Sequence, residues 1–285
     1  MLLVVQYAEH PPIPELAPVV ELLWTLSGDA ATLDADTQPI LPDGRPELIL
    51  HFGDAFERVH ADGRIERQPT IIFAGQLKSQ LLLRPTGAIG VLGIRFHPYG
   101  AAALFTTPQD ELAGLTIGMD ALDKSLSRAL SEVRQSAADL DDGVRRVQQE
   151  LLQWVTPENI DPRIRSAVEA IDRAQGLVSI DDLAASVSMT RRHLERKFLK
   201  AVGITPKRLA RITRFQHALS ILAASDAAPR GTRTAATCGY ADQAHFIRDF
   251  RDLAGCPPGE HLLRQFELTG FFYDSGAKWE ATSVP

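Results

Sequence analysis

The chain has 285 residues, a formal net charge of −6 and 45% hydrophobic residues. At roughly 150 residues per domain, this length predicts about two domains, and the ordinary composition excludes collagen-like, disulfide-stapled and disordered chains. Only two cysteines are present, Cys238 and Cys256, and no apolar stretch reaches the roughly 18 residues of a membrane span. We therefore expect a soluble cytoplasmic protein without a secretory leader or membrane contact.

The segment up to about residue 108 has the pattern of strands separated by turns. The strand candidates are Leu48–Phe52, Phe56–His60, Ile71–Phe73, Gln80–Arg84 and Gly90–Phe96. Frequent prolines and glycines favour an antiparallel sandwich or barrel over a parallel sheet. The predicted fold class is α+β: a β-rich N-terminal sandwich or barrel with trailing helices, then an all-α domain.

From about Leu122 the apolar spacing becomes helical. We expect the helix at 143–155, with its stripe of valine and leucine, to pack on the β-rich part; a dimer contact is the alternative. Thr156-Pro157-Glu158 stops this helix, and Asp161-Pro162 opens the next one as N-cap and first-turn proline. The predicted domains are residues 1–156 and 159–266, followed by a tail at 267–285.

Charge is distributed unevenly between these parts. Residues 159–266 hold 17 Lys and Arg against 11 Asp and Glu, and residues 190–214 hold nine basic residues and a single acid, Glu195. A basic domain joined to an acidic one is typical of a protein that meets a polyanion with one part only. A solvated helix face is the alternative explanation of such a basic stretch.

The basic part contains an internal repeat. An offset of 52 residues pairs five identical residues: His193 with His245, Arg196 with Arg248, Phe198 with Phe250, Gly203 with Gly255, and Pro206 with Pro258. An offset of 51 aligns Ala184-Ala185 with Ala235-Ala236 just before them. Each copy predicts a small-residue helix, a tight turn and a second amphipathic helix, which is the order of a helix-turn-helix.

In the first copy Ser179 is the expected N-cap, and Ile180, Leu183, Ala184 and Val187 are expected to face inward. The helix from Thr190 places Leu194, Phe198 and Ala201 on one side. Its other side carries Arg192, Glu195, Arg196 and Leu199. An apolar inner face with an arginine-rich outer face fits a helix that reads the DNA major groove.

Residues from about 161 to 264 resemble the DNA-binding domain of the AraC/XylS family of transcription regulators. The resemblance rests on Cys238–Phe250, with its Gly-aromatic, acid, Gln, His-Phe, Arg and Phe pattern, followed by Gly255-Cys256-Pro257-Pro258. It implies two helix-turn-helix units joined by one long helix, here Thr205–Ala223. The N-terminal part, through Leu41–Gly44 and Gly93–Pro98, resembles an uncharacterised domain found ahead of such units.

The resemblance implies a transcription regulator that binds specific sequences of double-stranded DNA and responds to an effector through its N-terminal domain. Activation of transcription is the expected mode of regulation, with repression as the alternative. The predicted DNA contacts are Arg191, Arg192, Glu195, Arg196, Lys200, Lys207, Arg211, Arg214, Gln243, His245, Arg248 and Arg251. Further candidate partners are RNA polymerase, a small-molecule effector and a second copy of the chain. No cofactor is expected.

The second copy differs from the first in its supporting helix. By the 51-residue offset, Ile180 and Leu183 become Gly231 and Thr234, and Pro229-Arg230-Gly231 favours a loop. Losing two large inward side chains costs about 2 kcal/mol or more. We therefore expect the second unit to be the less stable one.

Other sites are weaker candidates. His51, His60 and His97 lie in the β-rich part, where a cupin-like metal site or an enzyme is the alternative function, but neither a metal-ligand spacing nor a common catalytic motif is present. We expect no metal site, no catalytic residue and no reactive cysteine, with Cys238 in the core. The candidate effector-pocket residues are Trp24, Phe52, Phe73, Arg95 and His97; plain core is the competing interpretation of the aromatics.

Overall fold

The computed structural model describes residues 5–33, 37–223 and 231–263. Ten strands lie within these residues: β1 (Gln6–His10), β2 (Val20–Asp29), β3 (Gln38–Ile40), β4 (Glu47–His51), β5 (Glu57–Val59), β6 (Ile65–Arg67), β7 (Ile71–Ala74), β8 (Leu81–Arg84), β9 (Ala88–Phe96) and β10 (Thr116–Gly118). Three short 3-10 helices are found at Ala30–Thr32, Gly100–Ala103 and Pro157–Asn159.

Eleven α-helices are found in the same described residues: α1 (Gln109–Leu112), α2 (Met119–Leu122), α3 (Lys124–Ser136), α4 (Leu140–Leu151), α5 (Pro162–Arg173), α6 (Ile180–Ser186), α7 (Arg191–Val202), α8 (Pro206–Ala223), α9 (Gly231–Thr237), α10 (Gln243–Ala254) and α11 (Pro258–Leu263). The predicted tail at 267–285 lies outside the described residues.

The strands form two antiparallel sheets. The larger has the order β1-β2-β9-β4-β7-β10 and the smaller the order β3-β8-β5-β6. The short turn at Asp62-Gly63, with Gly63 at φ +83°, joins β5 to β6. The predicted β-rich sandwich followed by a helical part is confirmed.

Side-chain alternation gives the larger sheet two different buried faces. On β4, Leu48 and Leu50 are fully buried against the helices, whereas Glu47, Ile49 and His51 point to the smaller sheet. The helix-facing core also contains Phe73, Phe96 and the inward residues of α3 and α4. A separate cluster that includes Trp24, Phe56 and Val91 lies between the two sheets.

Helix α4 covers the larger sheet, as the predicted packing of the 143–155 helix requires. It begins at Leu140 because Asp139 accepts a hydrogen bond from the Asp142 amide at 2.8 Å and caps it. Val144, Val147 and Leu151 are buried in the helix-facing core. The alternative, that this stripe makes a dimer contact, is wrong because the larger sheet already covers it.

The C-terminal helices share one core. Leu194 and Phe198 of α7 and Phe246 and Phe250 of α10 belong to the same buried cluster. The long helix α8 lies between the two, and Phe215 on it meets Phe250 edge-on at 5.2 Å. Both helical units are therefore held in a fixed relation by α8.

The N-terminal half docks onto these helices. Leu41, Tyr99 and Ala113 belong to the core of the C-terminal part. A Cβ at Gly203, just after α7, would lie 2.7 Å from the carbonyl oxygen of Gln109, so the backbones of α7 and α1 approach closely there. The two halves therefore pack directly against each other and are not connected by a flexible linker alone.

Candidate nucleic-acid interface and ligand cavity

The first helix-turn-helix consists of α6, a tight turn and α7. Ser179 and Thr190 cap the two helices by accepting hydrogen bonds from the amides of Asp182 and His193, both at 3.3 Å. Gly203 ends α7 in the left-handed region at φ +90°. Of the expected inward residues of α6, Leu183 and Ala184 are buried and Ile180 is only half-buried.

The second unit repeats this geometry. Helix α10 has the same length as α7, Asp242 caps it through the His245 amide at 2.6 Å, and Gly255 ends it at φ +74°. The turns match as well: Ser188 and Gly239, 51 residues apart, both adopt positive φ, 54° and 64°. The predicted repeat of two helix-turn-helix units is confirmed.

The outer face of α7 carries the cations that remain available. Arg192 and Arg196 are exposed and form no ion pair with any residue that the structure describes. Arg191 is instead engaged by Glu195 at 3.0 Å and by Asp181 at 3.3 Å. Two exposed arginines without ion pairs among the described residues lie opposite the buried Leu194 and Phe198 on the same helix. A helix that reads bases needs this arrangement.

Exposed cations are also found on α8, at Lys207, and on α10 of the second unit, at Arg248 and Arg251. Lys207, Arg248 and Arg251 are exposed and lack an ion pair within the described part of the chain. Gln243 is exposed at the start of α10. His245 is only half-exposed, since its ring packs edge-on against Tyr240 at 5.3 Å and lies 3.7 Å from Asp249.

Besides Arg191 and Glu195, which pair with each other, three further predicted DNA contacts have internal partners. The Lys200 ammonium lies 3.0 Å from Asp110 of the N-terminal half. Arg211 binds Asp249 at 2.9 Å and Asp252 at 2.7 Å. Arg214 lies over the Tyr240 ring at 4.7 Å and 3.8 Å from Asp249. Because these charges are already neutralised inside the molecule, we leave the three residues out of the proposed contact set.

A cavity of about 960 Å³ opens between the two sheets of the N-terminal half. Its size is that of a site for a drug-sized molecule. Trp24, Arg95 and His97 of the predicted pocket line it, but Phe52 and Phe73 do not. Phe73 lies on the opposite, helix-facing side of its strand, and Phe52 packs against the same core beside Gly143. Strand alternation accounts for this correction.

One end of the cavity is a network of buried charges. Arg95 pairs with Glu47 at 2.9 Å and Asp43 at 3.6 Å, and Trp24 donates its indole N–H to Glu47 at 3.1 Å. Burial by itself would lower the pKa of Arg95, but the facing carboxylates hold it above the ordinary value. For the acid Glu47 burial acts in the other direction and raises the pKa, and the positive charge of Arg95 counteracts only part of this rise.

A second arginine joins the cavity to the helical half. Arg45 binds Glu21 at 2.5 Å through Nε and Asp172 of α5 at 3.3 Å through its other end. Gln216 of α8 also lines the cavity, and its amide donates to the Pro42 carbonyl at 2.7 Å. The cavity wall thus contains a side chain from the helix that joins the two helix-turn-helix units.

The other end of the cavity holds His51. This residue is 1% exposed, its ring packs against Phe56 at 5.2 Å, and neither ring nitrogen makes a hydrogen bond within the described residues. Burial lowers the pKa of His51 to about 4. The Gln68 side chain beside the ring opposes this only in part, and it makes no hydrogen bond of normal geometry with either ring nitrogen. The imidazole is therefore neutral near pH 7.

The histidines do not form a metal site. His60 lies 3.1 Å from Glu66, whereas Nε2 of His97 lies 3.1 Å from the Ala17 carbonyl oxygen. Among the residues that the structure describes, no group of three or more His, Cys, Asp or Glu is placed to hold a metal ion. Cys238 is fully buried as predicted, and burial raises the pKa of its thiol to about 11.

Comparison with known proteins identifies both halves. Residues 8–118 match a domain of unknown function, DUF6597, and residues 183–264 match a helix-turn-helix domain. A probable AraC family transcriptional regulator from Rhodopseudomonas palustris is 30% identical over 36% of this chain and 97% of its own, with a TM-score of 0.34. The chain belongs to the AraC family. It is a DNA-binding transcription regulator, and the predicted resemblance is confirmed.

Two structures of ToxT from Vibrio cholerae match this AraC-family chain over most of its length. One is 13% identical over 92% of this chain and 98% of its own, with a TM-score of 0.44. The other, ToxT with a bound unsaturated fatty acid, is 11% identical over 92% of this chain and 95% of its own, with a TM-score of 0.43. No curated protein matches the chain.

The sequence alone did not reveal several residues of the AraC-family chain that shape the cavity. Gly93 lies directly across from Trp24, and a Cβ there would lie 2.0 Å from the indole, so only glycine leaves room for the ring. Arg45 and Gln216 also escaped notice because their role depends on how the two halves dock. The alternation of Glu47, Ile49 and His51 along β4 was the one available signal.

None of the helices that the structure describes is long and apolar enough to cross a membrane.

Proposed function

We propose that this regulator reads two successive major-groove faces with α7 and α10, and that α7 makes most of the base contacts. The unpaired Arg192 and Arg196 on its exposed face carry the proposal. Arginine forms bidentate hydrogen bonds with guanine, which discriminate between base pairs. On α10 the matching positions of Arg192 and Glu195 are Ala244 and Ile247, so the second unit contributes fewer base contacts.

Phosphate contacts complete the proposed interface. Lys207 and Arg251 are exposed cations outside the base-reading face. Arg248 repeats the position of Arg196, and with Gln243 and His245 it is proposed to reach bases from α10. Phosphate contacts fix the register of a protein on DNA without reading sequence. The shared core around α8 supports simultaneous binding of the two units, roughly 10 base pairs apart along the duplex.

We further propose that a small molecule in the cavity regulates DNA binding. Arg45 and Gln216 support this, because each connects the cavity wall to a helix of the DNA-binding half. A ligand that binds with different affinity when these contacts are formed and when they are broken meets the requirement for coupling between the cavity and the DNA-binding helices. The same proposal has three further parts. The chain divides into domains at residues 1–156 and 159–266, the protein acts in the cytoplasm, and it activates transcription through RNA polymerase.

Genomic pull-down followed by sequencing tests the DNA-reading proposal. The enriched fragments are expected to share one motif with two elements about one helical turn apart. The logarithm of the affinity for this motif is expected to fall with the logarithm of salt concentration at a slope of about −3 to −5. A slope near zero, or fragments without a common motif, would support the solvated-face explanation of the basic residues.

A pair of lysine variants separates phosphate contacts from general charge effects. Lys207→Ala is expected to flatten the salt slope by about one unit and to leave the motif unchanged. The matched control is Lys124→Ala, which removes an exposed lysine from α3 in the N-terminal half. Equal slopes for the two variants would remove Lys207 from the interface.

A further inference from the structure

The cavity between the sheets has polar groups at two ends and an apolar middle. Glu47, Ile49 and His51 follow one another on the same face of β4, which places Glu47 and His51 about 13 Å apart along the strand. Between them β4 presents Ile49, and most of the other lining side chains are apolar, among them Trp24, Leu83 and Val91. A ligand that fills the cavity must therefore be largely apolar along its length.

The charged end cannot receive an additional charge favourably. Both of its arginines are already paired, Arg95 with Glu47 and Asp43, and Arg45 with Glu21 and Asp172. An anionic ligand would lose its hydration and meet carboxylates that outnumber these arginines. A cationic ligand would also lose its hydration, and each of these partly buried carboxylates already pairs with an arginine.

His51 lines the cavity, and its ring nitrogens have no hydrogen-bond partner among the described residues. The residue is only 1% exposed. A neutral imidazole offers one donor and one acceptor, and a buried polar group without a partner costs about 1–3 kcal/mol. A hydroxyl group can satisfy either nitrogen, because it both donates and accepts.

We propose that the cavity binds an uncharged, largely apolar molecule that presents a hydroxyl group to His51. The site deepens the proposed regulation by a small molecule and rests on it for its role, but its chemistry is independent of DNA. Trp24, seated on Gly93 and held by Glu47, forms the wall along which the apolar part lies. His51 fixes the orientation of the ligand within the cavity.

The test compares three probes with the same alkyl chain and different head groups: decanol, decanoate and decylamine. Binding to the full chain is measured by titration calorimetry at pH 7. Decanol is expected to bind at least tenfold more tightly than either charged probe. Tightest binding of decanoate or of decylamine would overturn the proposal, and so would the absence of binding by all three.

Variants test the role of His51. His51→Leu is expected to weaken decanol binding about fivefold, the loss of one hydrogen bond. His60→Leu is the matched control, because His60 lies outside the cavity lining and pairs with Glu66. Unchanged decanol affinity in a His51→Leu protein that still unfolds cooperatively would contradict the orientation by His51.

DNA binding without any probe is measured on the same preparation. If decanol binds in the expected order but no DNA motif is found, the ligand site stands and the proposed regulation fails. If the motif is bound but the charged probes bind best, the regulator stands and the ligand chemistry is wrong. The two failures are therefore distinguishable.

Discussion

Gly93 shows how one small residue shapes the ligand cavity. Its position opposite Trp24 in the β2–β9 register lets the indole lie against the strand and donate to Glu47. Any larger residue would push the ring into the cavity. The sequence showed a glycine in a strand, which marks close approach, but the neighbour across the sheet became known only from the register.

We predict that Gly93→Ala destabilises the protein by about 1–3 kcal/mol, since the added methyl overlaps the Trp24 ring. Urea unfolding measures the change. Gly259→Ala is the matched control, because a Cβ there meets nothing within 4 Å. Equal stability of the Gly93 variant and the wild type would show that Trp24 moves aside without cost.

His51 also predicts a pH dependence of stability. Its pKa is about 4 in the folded protein, against an ordinary value of 6.5, so the unfolded chain takes up a proton first as the pH falls. Stability is therefore retained above pH 6.5 and lost between about 6.5 and 4. The buried groups around the ring are Phe56 and Gln68, and Arg67 also disfavours protonation.

From pH 7 to 4.5, we expect the wild type to lose about 2–3 kcal/mol more stability than His51→Leu, as measured by urea unfolding at each pH. Carboxylates titrate in both proteins and cancel in the difference. If the two proteins lost the same stability over this range, His51 would be either protonated or solvated in the folded state.

At the scale of elements, the repeat was the most informative part of the sequence. Gly203, Gly255 and the small-residue pairs marked helix ends and close packing, and the structure confirms equal lengths for α7 and α10. The predicted joining helix, Thr205–Ala223, agrees with α8, Pro206–Ala223, to within one residue. The order of strands in the sheets was not predictable, because short strands of similar composition pair through long-range contacts.

The difference between the two supporting helices remains a prediction about stability. Thr234 is inward as expected, with 2% exposure, where α6 has Leu183. We expect residues 226–253 to open more easily than residues 180–202, but residues 226–230 lie outside the described residues. The comparison is therefore made between α9, Gly231–Thr237, and α6, Ile180–Ser186.

Amide exchange of the free protein is expected to be faster in α9 than in α6, and bound DNA is expected to narrow the gap. Thr234→Leu should slow exchange in α9 and add about 1 kcal/mol. Thr237→Leu is the control, because Thr237 is exposed on the same helix. Equal protection of the two helices in the free protein would show that other packing compensates for the smaller side chain.

In the proposed regulation, the contacts between the two halves of the molecule transmit the effect of a cavity ligand to the DNA-binding helices. The Arg45–Asp172 pair and the Gln216–Pro42 hydrogen bond bridge the halves, and Lys200 is held by Asp110 at the end of α7. These contacts were not predictable from the sequence, where Lys200 has the pattern of a phosphate ligand. The partner Asp110 is 90 residues away along the chain.

We predict that decanol changes the DNA affinity of the wild type at least fivefold, the lower range of allosteric coupling, and that Asp172→Ala brings this factor close to one. Fluorescence anisotropy with a labelled site measures it. Glu169→Ala on the same helix α5 is the control, because Glu169 is exposed and pairs with its helix neighbour Arg165. Unchanged coupling in Asp172→Ala would place the communication outside the Arg45 bridge.

The most direct test of DNA reading by α7 is the base preference of Arg196→Ala. Site selection from a randomised pool, with the wild type and an Arg128→Ala control on α3, compares affinity and preference in one measurement. We predict that Arg196→Ala costs about 1–3 kcal/mol of binding free energy and relaxes discrimination at one base pair, while Arg128→Ala changes neither. Full affinity and an unchanged preference in Arg196→Ala would contradict the assignment of this face as the reader.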